Sequence, residues 1–207
     1  MKKGILITFE GGEGSGKSIQ VEILANRLRE KGYEVVVTRE PGGTRIGEHI
    51  RNITHDPENV DLDPKTEAYL MAGARAQHVA EIINPALKQR KIVICDRFLD
   101  SSVVYQGYGR GLGEQTITTL NQLAVDEIIP DLTILLDISV SEGLSRRQNG
   151  RKKIDRLDLQ QRDFYERIRL GYQQIALKEP RIYVISGTKS IEEIAKLIWD
   201  KVKFVLC

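Results

Sequence analysis

Long hydrophobic runs are missing from this chain. No stretch approaches the roughly 18 apolar residues of a membrane span, so no membrane partner is expected. Cysteine is nearly missing too. Cys95 sits in the apolar run Ile92-Val93-Ile94-Cys95, and Cys207 lies far from it. That spacing argues against a disulfide framework and for two free thiols in a reducing cytoplasm. Cys207 does not stand in a prenylation box. Nor is there an excess of one charge. The chain has 31 Lys and Arg against 29 Asp and Glu, a net charge of +2. A uniformly basic surface of the nucleic-acid-coating kind is therefore not implied, and no nucleic-acid partner is expected. Internal repeats and low-complexity tracts are absent. Met1-Lys2-Lys3 places charge ahead of an apolar stretch, but that stretch is short and runs into a glycine-rich loop. It reads as a first strand, not as a signal peptide.

What remains is an ordinary globular composition, 41% apolar over 207 residues. That length suggests a single domain spanning 1–207. One stretch organises it: Gly11-Gly12-Glu13-Gly14-Ser15-Gly16-Lys17-Ser18. It fits G-x-x-x-x-G-K-[ST], the phosphate-binding P-loop. The run Ile5-Leu6-Ile7-Thr8-Phe9 precedes it. After it, Val21, Leu24, Ala25 and Leu28 recur at helical spacing. Strand, loop and helix are the context that gives the motif its meaning. Converging backbone N–H groups and a helix N-terminus favour an anion. Lys17 adds a full charge for the β- and γ-phosphates, and the Ser18 hydroxyl can ligate Mg²⁺. Residues 11–18 are therefore the expected ATP site.

Four further apolar runs read as strands: Val35-Val36-Val37, Ile92-Val93-Ile94-Cys95, Leu132-Thr133-Ile134-Leu135-Leu136 and Ile182-Tyr183-Val184-Ile185. Helices are expected at Arg45 to Ile53, from Lys65 to about Gln89 with Pro85 kinking it, around Ser102 to Gln106, and at Glu114 to Ile128. Ser139 caps a helix, Phe164 to Ile175 marks another, and Ser190-Ile191-Glu192-Glu193 is a capping box for the last. Gln148 to Ile154 is polar and basic without apolar periodicity, so it reads as a mobile loop. Uninterrupted apolar strands separated by helices give an α/β fold: a five-stranded parallel sheet flanked by helices on both faces. Ligands of such sheets collect at the C-terminal strand ends. The P-loop, Arg39-Glu40 and Asp96-Arg97 all fall there.

Asp96 occupies the position where a P-loop protein holds Mg²⁺; it can also simply cap the next helix. Arg97 suits a second phosphate, or a surface ion pair. A guanine-reading N-K-x-D motif is absent, which argues against a GTP switch. The spare arginines Arg39, Arg51, Arg75 and Arg97 point to a second anionic substrate and hence to a small-molecule kinase.

The chain also carries Phe9-Glu10-Gly11-x-Glu13-Gly14-x-Gly16-Lys17-Ser18, Thr38-Arg39-Glu40-Pro41-Gly42-Gly43-Thr44, Ala74-Arg75, Asp96-Arg97-Phe98 and Asp100-Ser101-Ser102-x-x-Tyr105-Gln106-Gly107. With Pro130-Asp131-Leu132-Thr133, Asp155-Arg156 and Gly171-Tyr172, these resemble the bacterial thymidylate kinases over most of the chain. The resemblance implies the nucleoside-monophosphate-kinase fold and Mg²⁺-dependent transfer of the γ-phosphoryl of ATP to dTMP, giving dTDP and ADP. A P-loop kinase with another acceptor is the alternative. The resemblance further implies that Arg97 and Arg51 hold the dTMP phosphate, with Arg39 and Glu40 shaping that pocket. Arg75 and Gln106 read the base, helped by Ser102, which lies four residues before Gln106 on one helix face. Glu13 meets the sugar 3′-hydroxyl. Met71 stands where the family commonly has Phe under the ring, and its polarizable sulfur can still pack there. A homodimer is implied.

The segment Arg146-Arg147-Gln148-Asn149-Gly150-Arg151-Lys152-Lys153 lies in an expected mobile lid at about 146–156. The P-loop carries Ser15 and no arginine. Something cationic must therefore approach the transferring phosphoryl late. Arg151 resembles the lid arginine of such family members. Lys17, Arg97 and Arg151 are the expected catalytic residues, and Ser18 and Asp96 the expected metal ligands. No strong base is needed, because a phosphomonoester acceptor is already largely dianionic at neutral pH.

Overall fold

A computed structural model describes residues 4–150 and 154–206. All five expected strands form: β1 (Ile5–Glu10), β2 (Val35–Arg39), β3 (Ile92–Asp96), β4 (Leu132–Asp137) and β5 (Ile182–Ser186). They pair in parallel, in the order β2-β3-β1-β4-β5. Alternate residues of each buried strand supply the two faces. Ile7, Phe9, Ile94, Ile134 and Leu136 pack under α1 (Lys17–Glu30) and a C-terminal helix at Ile191–Leu206. Leu6, Val93 and Cys95 face the opposite layer, with Val79, Ile83 and Phe98. Both faces are therefore dry, which is why the strands read as continuous apolar runs. The Cys95 thiol is buried and free, and burial raises its pKa. Cys207 lies outside the described residues.

Between β2 and β3 run α2 (Arg45–His55), α3 (Pro64–His78) and α4 (Asn84–Lys88). The expected single helix from Lys65 to about Gln89 is interrupted. Residues Val79–Ile83 take a π-helical turn ahead of Pro85, and α4 restarts there. Pro85 lacks the N–H that would bond back into the preceding turn, and its ring crowds the carbonyl four residues earlier. The wider turn is the local solution. The short helix expected around Ser102 to Gln106 is instead α5 (Leu99–Ser102) running into a π-helical segment, Val103–Gly109. Such a turn closes at five residues, so a spacing of four still comes to nearly one turn. Ser102 and Gln106 keep a shared face, and both line the same cleft.

The helix α6 (Glu114–Val125) stops three residues short of Ile128, because Asp126 and Glu127 adopt positive φ. Next, α7 (Val140–Gly150) overturns part of the loop expected at Gln148 to Ile154: residues 148–150 are helical. Val140 and Leu144 pack the start of this helix into the core, and charge holds its second half. Arg146 pairs with Glu142 one turn back, and Arg147 is gripped by carboxylates from outside. Residues 151–153, Arg151 among them, lie outside the described residues. Two further helices, α8 (Arg162–Lys178) and α9 (Ile191–Leu206), complete the chain. Both bonds of the expected capping box exist at the start of α9: Glu193 N–H donates to Ser190 Oγ, and Ser190 N–H donates to Glu193 Oε2. Among the described residues no helix is long and apolar enough to cross a membrane.

Candidate active site

The C-terminal ends of β1, β3 and β2 open into one cleft of about 750 Å³. At its floor the P-loop joins β1 to α1. Gly11 has φ +141°, and an added Cβ would meet the Leu136 carbonyl oxygen at 2.4 Å. Gly14 has φ +66°, and its added Cβ would lie 2.3 Å from the Gly143 oxygen in α7. The loop is thus held directly against the base of the expected lid. Lys17 folds back over the loop. Its Nζ donates to the carbonyls of Gly11 (3.1 Å) and Gly12 (2.9 Å) and to Ser15 Oγ (3.3 Å). Burial, with the neighbouring Arg97 charge, pushes the Lys17 pKa down to about 8. The Ser18 hydroxyl donates to Asp96 Oδ2 at 2.9 Å. Hydroxyl and carboxylate oxygens side by side are a hard donor pair of the kind Mg²⁺ takes. Among the described residues no cluster of three His, Cys, Asp or Glu forms a protein-only cage. Mg²⁺ commonly uses one or two protein oxygens and completes its shell with phosphate and water.

Above the loop stands Glu13, between two arginines. Arg97 Nη2 donates to Glu13 Oε1 at 2.9 Å, and Arg147 from α7 grips the other oxygen. The Tyr105 hydroxyl donates to Oε1 at 3.0 Å. Burial alone would raise the Glu13 pKa, but Arg97, Lys17 and Arg147 hold it well below the usual carboxylate range. Arg97 itself has φ +72°, an uncommon conformation for a side-chain-bearing residue. Its N–H donates to Phe9 O, and its Nη1 reaches Gly11 O (3.1 Å) and the Tyr172 hydroxyl (3.2 Å). That turn aims the guanidinium along the P-loop instead of out to solvent.

The other expected site residues line the same cleft. Arg39 forks onto both oxygens of Glu48 at 2.9 Å each, and Arg51 donates to the Pro41 carbonyl at 3.1 Å. Met71 is half-buried on α3. Arg75, four residues later, is 3% exposed and holds protein acceptors all round: Glu40, Ser102, Asn121 and the Phe98 carbonyl. Glu40 also faces His78. Gly11 and Gly12 are not in its lining: the Gly12 carbonyl meets the cleft through Lys17, and the Gly11 carbonyl through Lys17 and Arg97. Arg147 is pinned by Glu13, Asp155 and Asp158.

Sequence reasoning left several residues without a role. Glu67, Asn121 and Arg156 are polar groups in helices or charge runs, where such residues usually face water. Only the fold turns them inward. Glu10 is the sharpest case. It ends β1 at 1% exposure. Its Oε1 accepts from the Phe98 N–H (2.8 Å), and its Oε2 accepts from Ser101 (2.5 Å) and Tyr172 (2.8 Å) hydroxyls. Ser101 and Tyr172 also touch Arg97, so Glu10 buttresses the Arg97 turn. Burial first, then the Asp100 charge, raises its pKa from 4.5 to about 7. Between those values the folded carboxyl binds a proton that the unfolded one has lost. Its contribution to stability therefore falls as pH rises through that window. Denaturant titrations across this range are expected to show the wild type losing stability relative to Glu10→Gln. Parallel curves for the two proteins would contradict this.

The model of the thymidylate kinase family matches residues 9–198. The curated thymidylate kinase of Halothermothrix orenii is 46% identical over 203 residues, covering 97% of both chains. That of a Geobacillus species is 47% identical over 194 residues, covering 93% of this chain and 92% of the relative. The crystal structure of thymidylate kinase from Ehrlichia chaffeensis superposes with a TM-score of 0.77 at 35% identity, covering 97% of this chain and 99% of the other. A parallel sheet and a phosphate loop expected from the residues, and the cleft that the fold builds on them, thus coincide with a match over nearly the whole length: the chain belongs to the thymidylate kinase family.

Proposed function

We propose that the chain transfers the γ-phosphoryl group of ATP to dTMP, giving dTDP and ADP for dTTP synthesis. One observation carries the reading: a single cleft joins a P-loop, with Lys17 and the Ser18–Asp96 oxygen pair, to the cations Arg97, Arg51 and Arg39. One anion site for the donor and a second for the acceptor phosphate are what such a transfer needs. The Gly11 to Ser18 loop cradles the ATP phosphates. Ser18 and Asp96 would hold Mg²⁺, which would supply neutralisation of the phosphate charge. Arg97 and Arg51 take the dTMP phosphate, with Arg39 and Glu40 framing it. Glu13 meets the sugar, and Met71, Arg75, Ser102 and Gln106 form the base end.

The proposal includes a single kinase domain whose lid, at about 146–156, closes over the phosphates and excludes water. The anchoring of α7 on Glu13 through Arg147 supports it. It also includes a homodimer. Ile53 on α2, Tyr69 on α3 and Leu123 on α6 are large, apolar and exposed on helices that pack side by side. A cytoplasmic site of action fits the reduced, buried Cys95.

The test is ADP release from ATP with dTMP, dUMP, dCMP, AMP and GMP offered as acceptors. Release with dTMP is expected to exceed that with dCMP, AMP and GMP by at least about tenfold in kcat/KM. No dTMP-dependent release, or a preference for a purine monophosphate, would overturn the reading.

A further inference from the structure

Behind the base end of the cleft lies a buried carboxylate that nothing so far explains. Glu67 on α3 is 1% exposed. Every neighbour that bonds its side chain is a donor. Gln106 Nε2 donates to Oε1 at 2.7 Å, Arg110 Nε donates to Oε2 at 3.1 Å, and Arg156 Nη2 donates to the same oxygen. Arg156 is fixed in turn by the Thr54 carbonyl, and Arg110 by Gln160. Two cations from outside the helix therefore hold Glu67 in place.

This has a chemical consequence for Gln106. A free amide can turn over and present either its carbonyl or its NH₂. Here a carboxylate acting only as acceptor faces one end, so that end is Nε2. Oε1 is left as the outward group, and among the described residues it accepts from nothing. Ser102, on the same face of the cleft, is fixed in the same manner. Arg75 Nη1 donates to its Oγ at 2.9 Å, which leaves the Ser102 O–H as a donor with no acceptor among the described residues.

We infer that Glu67 is a positioning residue that sets base specificity by fixing the polarity of Gln106, with Arg75 fixing that of Ser102. The edge presented to the base is then an acceptor from Gln106 beside a donor from Ser102. A 4-keto pyrimidine such as thymine offers a ring N3–H donor beside its O4 acceptor and satisfies both. A 4-amino pyrimidine such as cytosine offers an N3 acceptor beside an NH₂ donor, and both contacts fail. Leaving two desolvated polar groups unmatched is the strongest form of discrimination a small pocket has. The inference rests on the dTMP reading and adds to it the group that enforces the choice.

The experiment measures kcat/KM for dTMP and dCMP in wild type and in Glu67→Gln, with the KM for ATP as control. Glutamine at 67 can donate as well as accept, so Gln106 is released to turn over. The dTMP-to-dCMP ratio is expected to fall by about tenfold or more, with the ATP KM unchanged. An unchanged ratio in an active variant overturns the inference and leaves the dTMP reading intact. Absence of dTMP turnover in the wild type overturns both. Should Glu67→Gln fail to fold, Glu67→Asp keeps the charge for Arg156 and Arg110 but shortens the reach to Gln106, and the same fall is expected. A measurement on the wild type needs no variant at position 67. The Gln106 side-chain amide protons, assigned by difference from Gln106→Leu, are expected to exchange slowly with solvent before dTMP is added. Free exchange that slows only on dTMP binding would contradict a preset polarity.

Discussion

Arg97→Ala is expected to weaken dTMP binding by about 100-fold or more in calorimetry, while ATP binding changes less than about tenfold. A guanidinium holding a phosphate makes charge-assisted bonds worth about 1.5–3 kcal/mol each, and 1.4 kcal/mol is tenfold in affinity. The structure adds a reason for the asymmetry. Arg97 reaches the P-loop only at the Gly11 carbonyl and Glu13, and Glu13 keeps Arg147 when Arg97 is lost. The donor site should therefore survive. Arg97→Lys is not expected to restore binding, because an ammonium lacks the planar fork. Unchanged dTMP affinity in Arg97→Ala would move the acceptor phosphate elsewhere, with Arg51 the first candidate.

Arg151→Ala is expected to lower turnover by roughly 10³-fold, in the range of an arginine finger, with ATP affinity little changed. The neighbouring cations are already engaged. Ser15 Oγ is taken up by Lys17, so the P-loop brings no cation of its own besides that lysine. Arg146 is held by Glu142 and the Gly187 carbonyl. Arg147 is pinned among Glu13, Asp155 and Asp158. Its removal should loosen the lid and raise the KM of both substrates, not selectively slow the transfer. A near-normal rate in Arg151→Ala would instead give the role to Arg147 or Lys152.

Much of this was legible in the residues because two signals are local. A strand buried on both faces must be apolar throughout, so β1, β3 and β4 announce themselves, and the P-loop has a fixed grammar. The positions of Asp96 and Arg97 follow from the rule that ligands gather at strand ends. What was not legible depends on contacts made far along the chain. The π-helical turns at Val79–Ile83 and Val103–Gly109 answer local crowding and packing that periodicity does not report. The helical state of residues 148–150 rests on ion pairs across the cleft, not on an apolar stripe. Glu67 shows the limit most clearly. An acidic residue early in a helix reads as solvated, and only Arg110 and Arg156, 43 and 89 residues away, make its burial tolerable. The polar second layer of this site is invisible to spacing, since its members share no motif.

The most direct test follows the phosphoryl group itself. ATP labelled in its γ-phosphate is incubated with the protein, Mg²⁺ and either dTMP or thymidine, and the products are separated. Label is expected in the β-phosphate of dTDP, formed in step with ADP, with no transfer to thymidine. Label appearing on the thymidine hydroxyl, or released as inorganic phosphate at a rate indifferent to dTMP, would contradict the proposed transfer.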